Sequence, residues 1–180
     1  MNEKVKEMLG TVLYLLIVLG FTYLVITFVA QRTTVNGRSM ETNFHDGDNL
    51  IVDKISYRFR DPERFDVIVF PFLYEEDTSF IKRIIGLPGE EINIDADGKI
   101  YINGEELKEN YGKEVIDQFH HGDREFPILL GDDEYFVMGD NRNDSKDSRY
   151  REVGNIKRSN ITGRAWVRIW PLSSFGKIKK

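Results

Sequence analysis

"FIKRIIGLPGE", residues 80–90, is the stretch on which the reading of the fold turns. Period-two alternation puts Phe80, Lys82 and Ile84 on one face of a strand and Ile81, Arg83 and Ile85 on the other. Apolar side chains on both faces read as a strand buried within a sheet, ended by the Leu87-Pro88-Gly89 turn. Lys82 violates that pattern, because stripping water from an ammonium costs several kcal/mol. Two readings stand at this point. Lys82 lies on an edge strand and reaches solvent by snorkelling, or burial holds it neutral so that it can act as a base.

Outward from this strand the signals remain β. "NLIVDK" (49–54) and "DVIVF" (66–70) are short β-branched runs before it. After it, "INIDADGKIYING" (92–104) reads as a hairpin turning at Asp97-Gly98. "EYFVMGD" (134–140) and "ITGRAWVRIW" (161–170) supply two later strands, and residues 104–131 are polar and poorly patterned. Nothing after residue 31 sustains a 3.6-residue period. The expected fold is mainly β, an antiparallel β-sheet domain over residues 31–180.

Residues 9–30, "LGTVLYLLIVLGFTYLVITFVA", run 22 positions without a charge. As a helix that is about 33 Å, enough to cross a hydrocarbon layer of about 30 Å. A cleavable leader would have a shorter apolar region and small residues spaced A-x-A, whereas here the run ends Phe28-Val29-Ala30. The expectation is one N-terminal transmembrane helix over 9–30, preceded by a short tail over 1–8. Basic residues flank both ends of the run, so charge alone does not orient it.

The chain has no cysteine, which excludes a disulfide framework, thiolate metal sites and a cysteine nucleophile. Charge is unevenly spread. Residues 89–134 carry 14 acidic and 4 basic side chains, while residues 135–180 carry 4 and 11. This predicts a smaller acidic lobe, 89–134, inserted into the domain. The adjacent His120 and His121 would point to opposite sides of a strand, so no metal site and no cofactor are expected. No segment reads as a nucleic-acid-binding element.

Three stretches exceed what core building requires: "NGRSMETNFHDGD" (36–48), the lysine strand, and "GDNRNDSKDSR" (139–149). Together with the N-terminal span they resemble the bacterial type I signal peptidases in their short, single-span form. Ser39-Met40 with Gly47-Asp48 is similar to the nucleophile box, and 66–70 to the strand box after it. Residues 82–90 resemble the lysine box. Gly139-Asp140-Asn141-Arg142 with Ser145, Asp147, Ser148 and Arg149 resembles the last box.

The resemblance implies an antiparallel β catalytic domain that cleaves signal peptides from exported preproteins with a Ser/Lys dyad. Carried over, Ser39 is the nucleophile and Lys82 the general base. Ser145 would orient the Lys82 amine, Asp147 and Arg149 would brace the loop, and Arg83 would pair with Asp140. A lysine serves as base only when neutral, so its pKa must fall from about 10.4 toward ~7–8. The Ser39 N–H is the expected oxyanion donor, because position 37 is glycine and offers no hydroxyl. The family's proline after the nucleophile is replaced by Thr42. Implied partners are secreted preproteins with small residues before the cut, membrane lipid and the translocation machinery. The implied location is the cell membrane, single-pass, with a cytoplasmic N-terminus and an extracytoplasmic catalytic domain. "DVIVFPFLYEED" (66–77) carries Phe70, Phe72, Leu73 and Tyr74, for the substrate groove, for lipid or simply for the core. Other readings are a Ser/His arrangement through His45-Asp46, an inactive paralogue, and a non-catalytic tethered β domain that binds peptides.

Overall fold

The computed structural model describes residues 2–178, so Met1 of the expected tail and Lys179–Lys180 of the expected domain lie outside the described residues. The apolar run forms helix α1 (Glu3–Phe28), none of whose residues is buried in the protein. It is long and apolar enough to cross a bilayer. Its limits differ from the charge-free run at both ends. Backbone hydrogen bonding carries the helix back through Lys4, Lys6 and Glu7, since a helix terminus tolerates charge. At the other end Ala30 already pairs with Asp53 in the first strand, β1 (Ala30–Thr34). The domain therefore hangs on α1 with a single residue, Val29, between the two elements. The polar sequence of β1, AQRTT, shows no alternation and gave no strand signal.

The remaining strands are β2 (Asn49–Asp53), β3 (Val67–Pro71), β4 (Ser79–Gly86), β5 (Glu91–Ile94), β6 (Ile100–Ile102), β7 (Glu105–Glu106), β8 (Ile128–Leu129), β9 (Glu134–Met138), β10 (Ile156–Lys157), β11 (Gly163–Trp170) and β12 (Gly176–Lys177). The larger sheet runs β1-β2-β11-β3-β4-β9-β10, with β12 on β11. A second sheet, β7-β6-β5-β8, lies entirely within the acidic stretch 89–134. Every pairing in both sheets is antiparallel.

Strand β4 sits between β3 and β9, with Lys82 opposite Ile68. β9 pairs with β4 only from Arg83 onward, so Lys82 has a strand on one side; its burial, with 4% exposed, is what rules out the snorkelling reading. The strand's two faces feed different cores. Ile84 joins Ile68, Phe70 and Val137, while Ile85 joins the isoleucines of the small sheet, Ile92, Ile94, Ile100 and Ile102. A third cluster, Val35, Met40, Phe44, Leu50, Val67 and Ala165, lies under the loop that carries Ser39. Fully burying one such side chain is worth about 1.5–3 kcal/mol, so each of these anchors fixes its segment firmly.

Candidate active site

The loop after β1 is closed at its base by two backbone hydrogen bonds, Val35 N–H to the Asp48 carbonyl and Gly47 N–H to the Val35 carbonyl. Gly37 and Gly47 sit at φ +85° and +86°, a conformation that glycine adopts without steric cost. Met40 and Phe44 are driven into the third core cluster, and both Asn43 and Phe44 N–H donate to the Met40 carbonyl. The turn is thus held by two apolar pegs around exposed Thr42, at the position where the resemblance led us to expect proline. Ser39, next to the first peg, is presented half-buried at the mouth of a cleft.

Lys82 rises from β4 into the same cleft, which has a volume of about 240 Å³. Only 4% of Lys82 is exposed. Its Nζ donates to Ser39 Oγ at 2.8 Å and to the Ile81 carbonyl at 3.1 Å. The Phe80 ring lies 4.8 Å from the nitrogen and is stacked in turn on Phe72. Burial pushes the amine's pKa down to about 8; the carboxylates of Asp147 and Asp140 pull it back up, and Arg149 presses it further down. About a tenth of the amine is therefore neutral at pH 7, which supplies the unprotonated form that a general base requires.

The loop 139–149 packs against the Ser39 turn through buried polar contacts. Asn141 N–H donates to the Ser39 carbonyl at 3.0 Å, and its Nδ2 to the Arg38 carbonyl at 3.1 Å. A Cβ built on Gly139 would lie 2.2 Å from Ser145 Oγ and 2.4 Å from the Ser39 carbonyl oxygen, so the approach requires glycine. Asp147 and Arg149 form a fully buried pair, with Nε 2.8 Å from Oδ1 and Nη2 2.9 Å from Oδ2. Burial alone would raise the Asp147 carboxyl; the Arg149 charge and hydrogen bonds from Arg149, Gly139 N–H and Ser145 outweigh it and hold the pKa low. Arg149 also donates to the carbonyls of His120 and Arg142, which ties the acidic lobe to the loop.

Arg83 points the other way from Lys82 and grips Asp140 with two hydrogen bonds, at 2.8 and 2.7 Å. Its guanidinium lies 3.9 Å from the Tyr111 ring centroid, and Asn43 Nδ2 donates to Asp140 from the Ser39 turn. Ser145 is placed differently from the role that the resemblance implies. Its hydroxyl donates to Asp147 Oδ2 at 2.8 Å, while the Lys82 amine bonds Ser39 and Ile81. Of the candidate residues, Ser39 and Lys82 bond to each other, Ser145, Asp147 and Arg149 form a second bonded group, and Arg83 with Asp140 a third.

Asn141 is the residue whose role the sequence reading missed. It lies inside the quoted box, but a clamp on the backbone carbonyl of Arg38, 103 positions away, leaves no local pattern. His45 is exposed and makes no side-chain hydrogen bond among the described residues, so the Ser39–His45 reading has no geometry behind it. Phe70 and Phe72 are core residues, whereas Leu73 and Tyr74 are exposed at the tip of the β3–β4 hairpin. Among the described residues no group of three or more metal-ligating side chains converges.

Residues 8–170 match the family described as signal peptidase, peptidase S26. The chain is 43% identical over 155 residues to the probable signal peptidase I-2 of Synechocystis sp., covering 83% of this chain and 67% of that one. It is 42% identical over 159 residues to the signal peptidase I of Leptolyngbya laminosa, covering 84% and 74%. With signal peptidase I P of Bacillus subtilis subsp. natto it shares 33% identity over 176 residues, 95% of this chain and 94% of the other.

Proposed function

This chain belongs to the signal peptidase family, peptidase S26, and cleaves signal peptides; on that premise we propose that Ser39 is the nucleophile and Lys82 the general base. The observation that carries the assignment is the 2.8 Å hydrogen bond between a serine hydroxyl and an amine buried in the sheet. The enzyme is anchored in a membrane by α1.

A neutral Lys82 amine takes the Ser39 proton as Oγ attacks the carbonyl carbon of the scissile peptide. The charge that develops on the carbonyl oxygen is met by the Ser39 N–H, which donates to no other group among the described residues. As the tetrahedral intermediate collapses, the Lys82 ammonium returns its proton to the departing amine of the mature chain, leaving an ester on Ser39. Water then attacks the ester, with Lys82 taking one of its protons. The acid is released and Ser39 recovers its hydrogen.

Asp147 with Arg149, and Arg83 with Asp140, act as braces. They hold loop 139–149 and the lysine strand at fixed positions without touching substrate. Ser145 completes the Asp147 end of this brace. The N-terminal end of α1 lies on the cytoplasmic side and the domain outside. Ser39 follows the end of α1 closely and so meets preproteins where they leave the membrane. Substrates with small residues before the cut enter as an added strand along the cleft. The lobe at 89–134 shields the loop's far side through His120 and Arg149.

The test uses the full chain in detergent micelles with a preprotein carrying a small-x-small site. Ser39→Ala and Lys82→Met each lose at least about a thousandfold in kcat, as removal of one member of a cooperating pair does. Either variant cutting at the wild-type rate overturns the assignment.

A further inference from the structure

Two charged side chains in the cleft take no part in the chemistry above. Arg38 immediately precedes Ser39 and Asp144 immediately precedes Ser145. Arg38 Nη2 donates to Asp144 Oδ2 at 3.2 Å, from one wall of the cleft to the other. Their backbones are held in place. Asn141 clamps the carbonyls of Arg38 and Ser39, and Asp144 N–H donates to the Asn141 carbonyl. Their side chains are another matter, being 68% and 55% exposed. Neither has another side-chain partner among the described residues. An exposed pair of this kind holds weakly, and a passing charge can replace either half of it.

The rest of the lining sorts cleanly. Thr34, which ends β1, Val35 just after it, and Ser79, Phe80 and Ile81 of β4 are neutral, and a peptide strand would lie between these two segments. Lys146, the other charged group besides the dyad, is paired with Glu152 and rests over the Phe72 ring. Asp46 nearby is occupied by the Gly37 N–H. The neutral part suits the small residues before the cut. The Arg38–Asp144 end is left for the residues that follow it.

We propose that Arg38 and Asp144 form a charge-reading pair for the first residues on the carboxyl side of the scissile bond. An acidic side chain there takes Arg38 from Asp144, and a basic one takes Asp144 from Arg38. Because both charges are present, the wild-type site accepts either sign. This selectivity rests on the assignment of Ser39 and Lys82, and the experiment separates the two.

Three preproteins identical except for Ala, Glu or Lys directly after the cut are cleaved by the full chain in micelles, and kcat/KM is normalised to the Ala substrate. Wild type treats Glu and Lys within about threefold of each other, since the pair offers each a partner. Arg38→Glu shifts the Lys:Glu ratio toward Lys by about tenfold, and 0.5 M salt removes most of that shift. Arg38→Lys keeps the wild-type ratio, and the Arg38→Glu, Asp144→Arg double variant returns to it. A ratio unchanged in Arg38→Glu, including one that accompanies a uniform loss of rate, overturns the charge-reading role. If Ser39→Ala and Lys82→Met are inactive in the same assay, the dyad stands regardless. If Ser39→Ala cuts at the wild-type rate, both assignments fall.

Discussion

The pH dependence of cleavage follows directly from how Lys82 is buried. With the amine's pKa brought down to about 8 by desolvation, its neutral fraction is about 1% at pH 6, about 9% at pH 7 and about 91% at pH 9. When chemistry limits turnover, kcat/KM therefore rises about tenfold per pH unit below pH 7, bends near 8 and is level by about 9. The alternative is well separated. A solvated lysine, with pKa near 10.4, would gain roughly 70-fold between pH 8 and 10, against about twofold for the buried one. The assay is steady-state cleavage of a preprotein in micelles from pH 6 to 10, with a single-turnover control to show that chemistry is being read. A profile still climbing steeply above pH 9, or one flat from pH 6, refutes the reasoning. The first would mean an amine that is not desolvated. The second would mean a base other than Lys82.

The same burial has a stability signature. The folded pKa lies below the unfolded one, so the unfolded chain holds the proton more tightly, and wild type is destabilised below pH 8. The cost is about 3 kcal/mol at pH 7 and fades as pH rises through 8 to 10.5. Lys82→Met should therefore be more stable than wild type by about 3 kcal/mol at pH 7, with the gain nearly gone by pH 11, as read by denaturant unfolding; a pH-independent difference contradicts this. Gly139→Ala places a methyl against Ser145 Oγ and the Ser39 carbonyl, so kcat should fall by more than about tenfold with a stability loss of about 1–3 kcal/mol. Wild-type kinetics in that variant would show that the loop does not position Ser39. Asp140→Ala leaves the Arg83 guanidinium buried without its bidentate partner and should cost about 3–5 kcal/mol, most of it recovered in Arg83→Met, Asp140→Leu. Thermal unfolding of the three proteins decides, and a double variant no better than the single one rules out charge burial as the cause.

How much of this was legible beforehand depended on whether a feature is local. Strands such as 66–70 and 134–140 announce themselves because alternation and β-branching act on neighbouring residues, and the membrane span because twenty apolar residues have few other uses. The helix limits were less clear, since hydrogen bonding carries α1 back to Glu3 through charged residues that hydropathy excludes. Strand β1 was invisible because its polar residues are strand only by pairing with β2. At the site, the apolar run around Lys82 and the boxes around Ser39 and Asp140 marked the participants.

What the amino-acid sequence determined by itself, then, was the kind of molecule: a tethered β domain, its family, and a lysine in surroundings that disfavour its charge. Tertiary structure alone decided the contacts. Ser39 and Lys82 stand 43 positions apart and meet only because Met40 and Phe44 peg one loop into the core while β3 and β9 hold β4 between them. The Ser145 hydroxyl turns to Asp147, and Asn141 fastens the Ser39 turn, for reasons of three-dimensional packing. Desolvation is a property of everything that surrounds an atom, and most of what surrounds the Lys82 amine comes from distant parts of the chain.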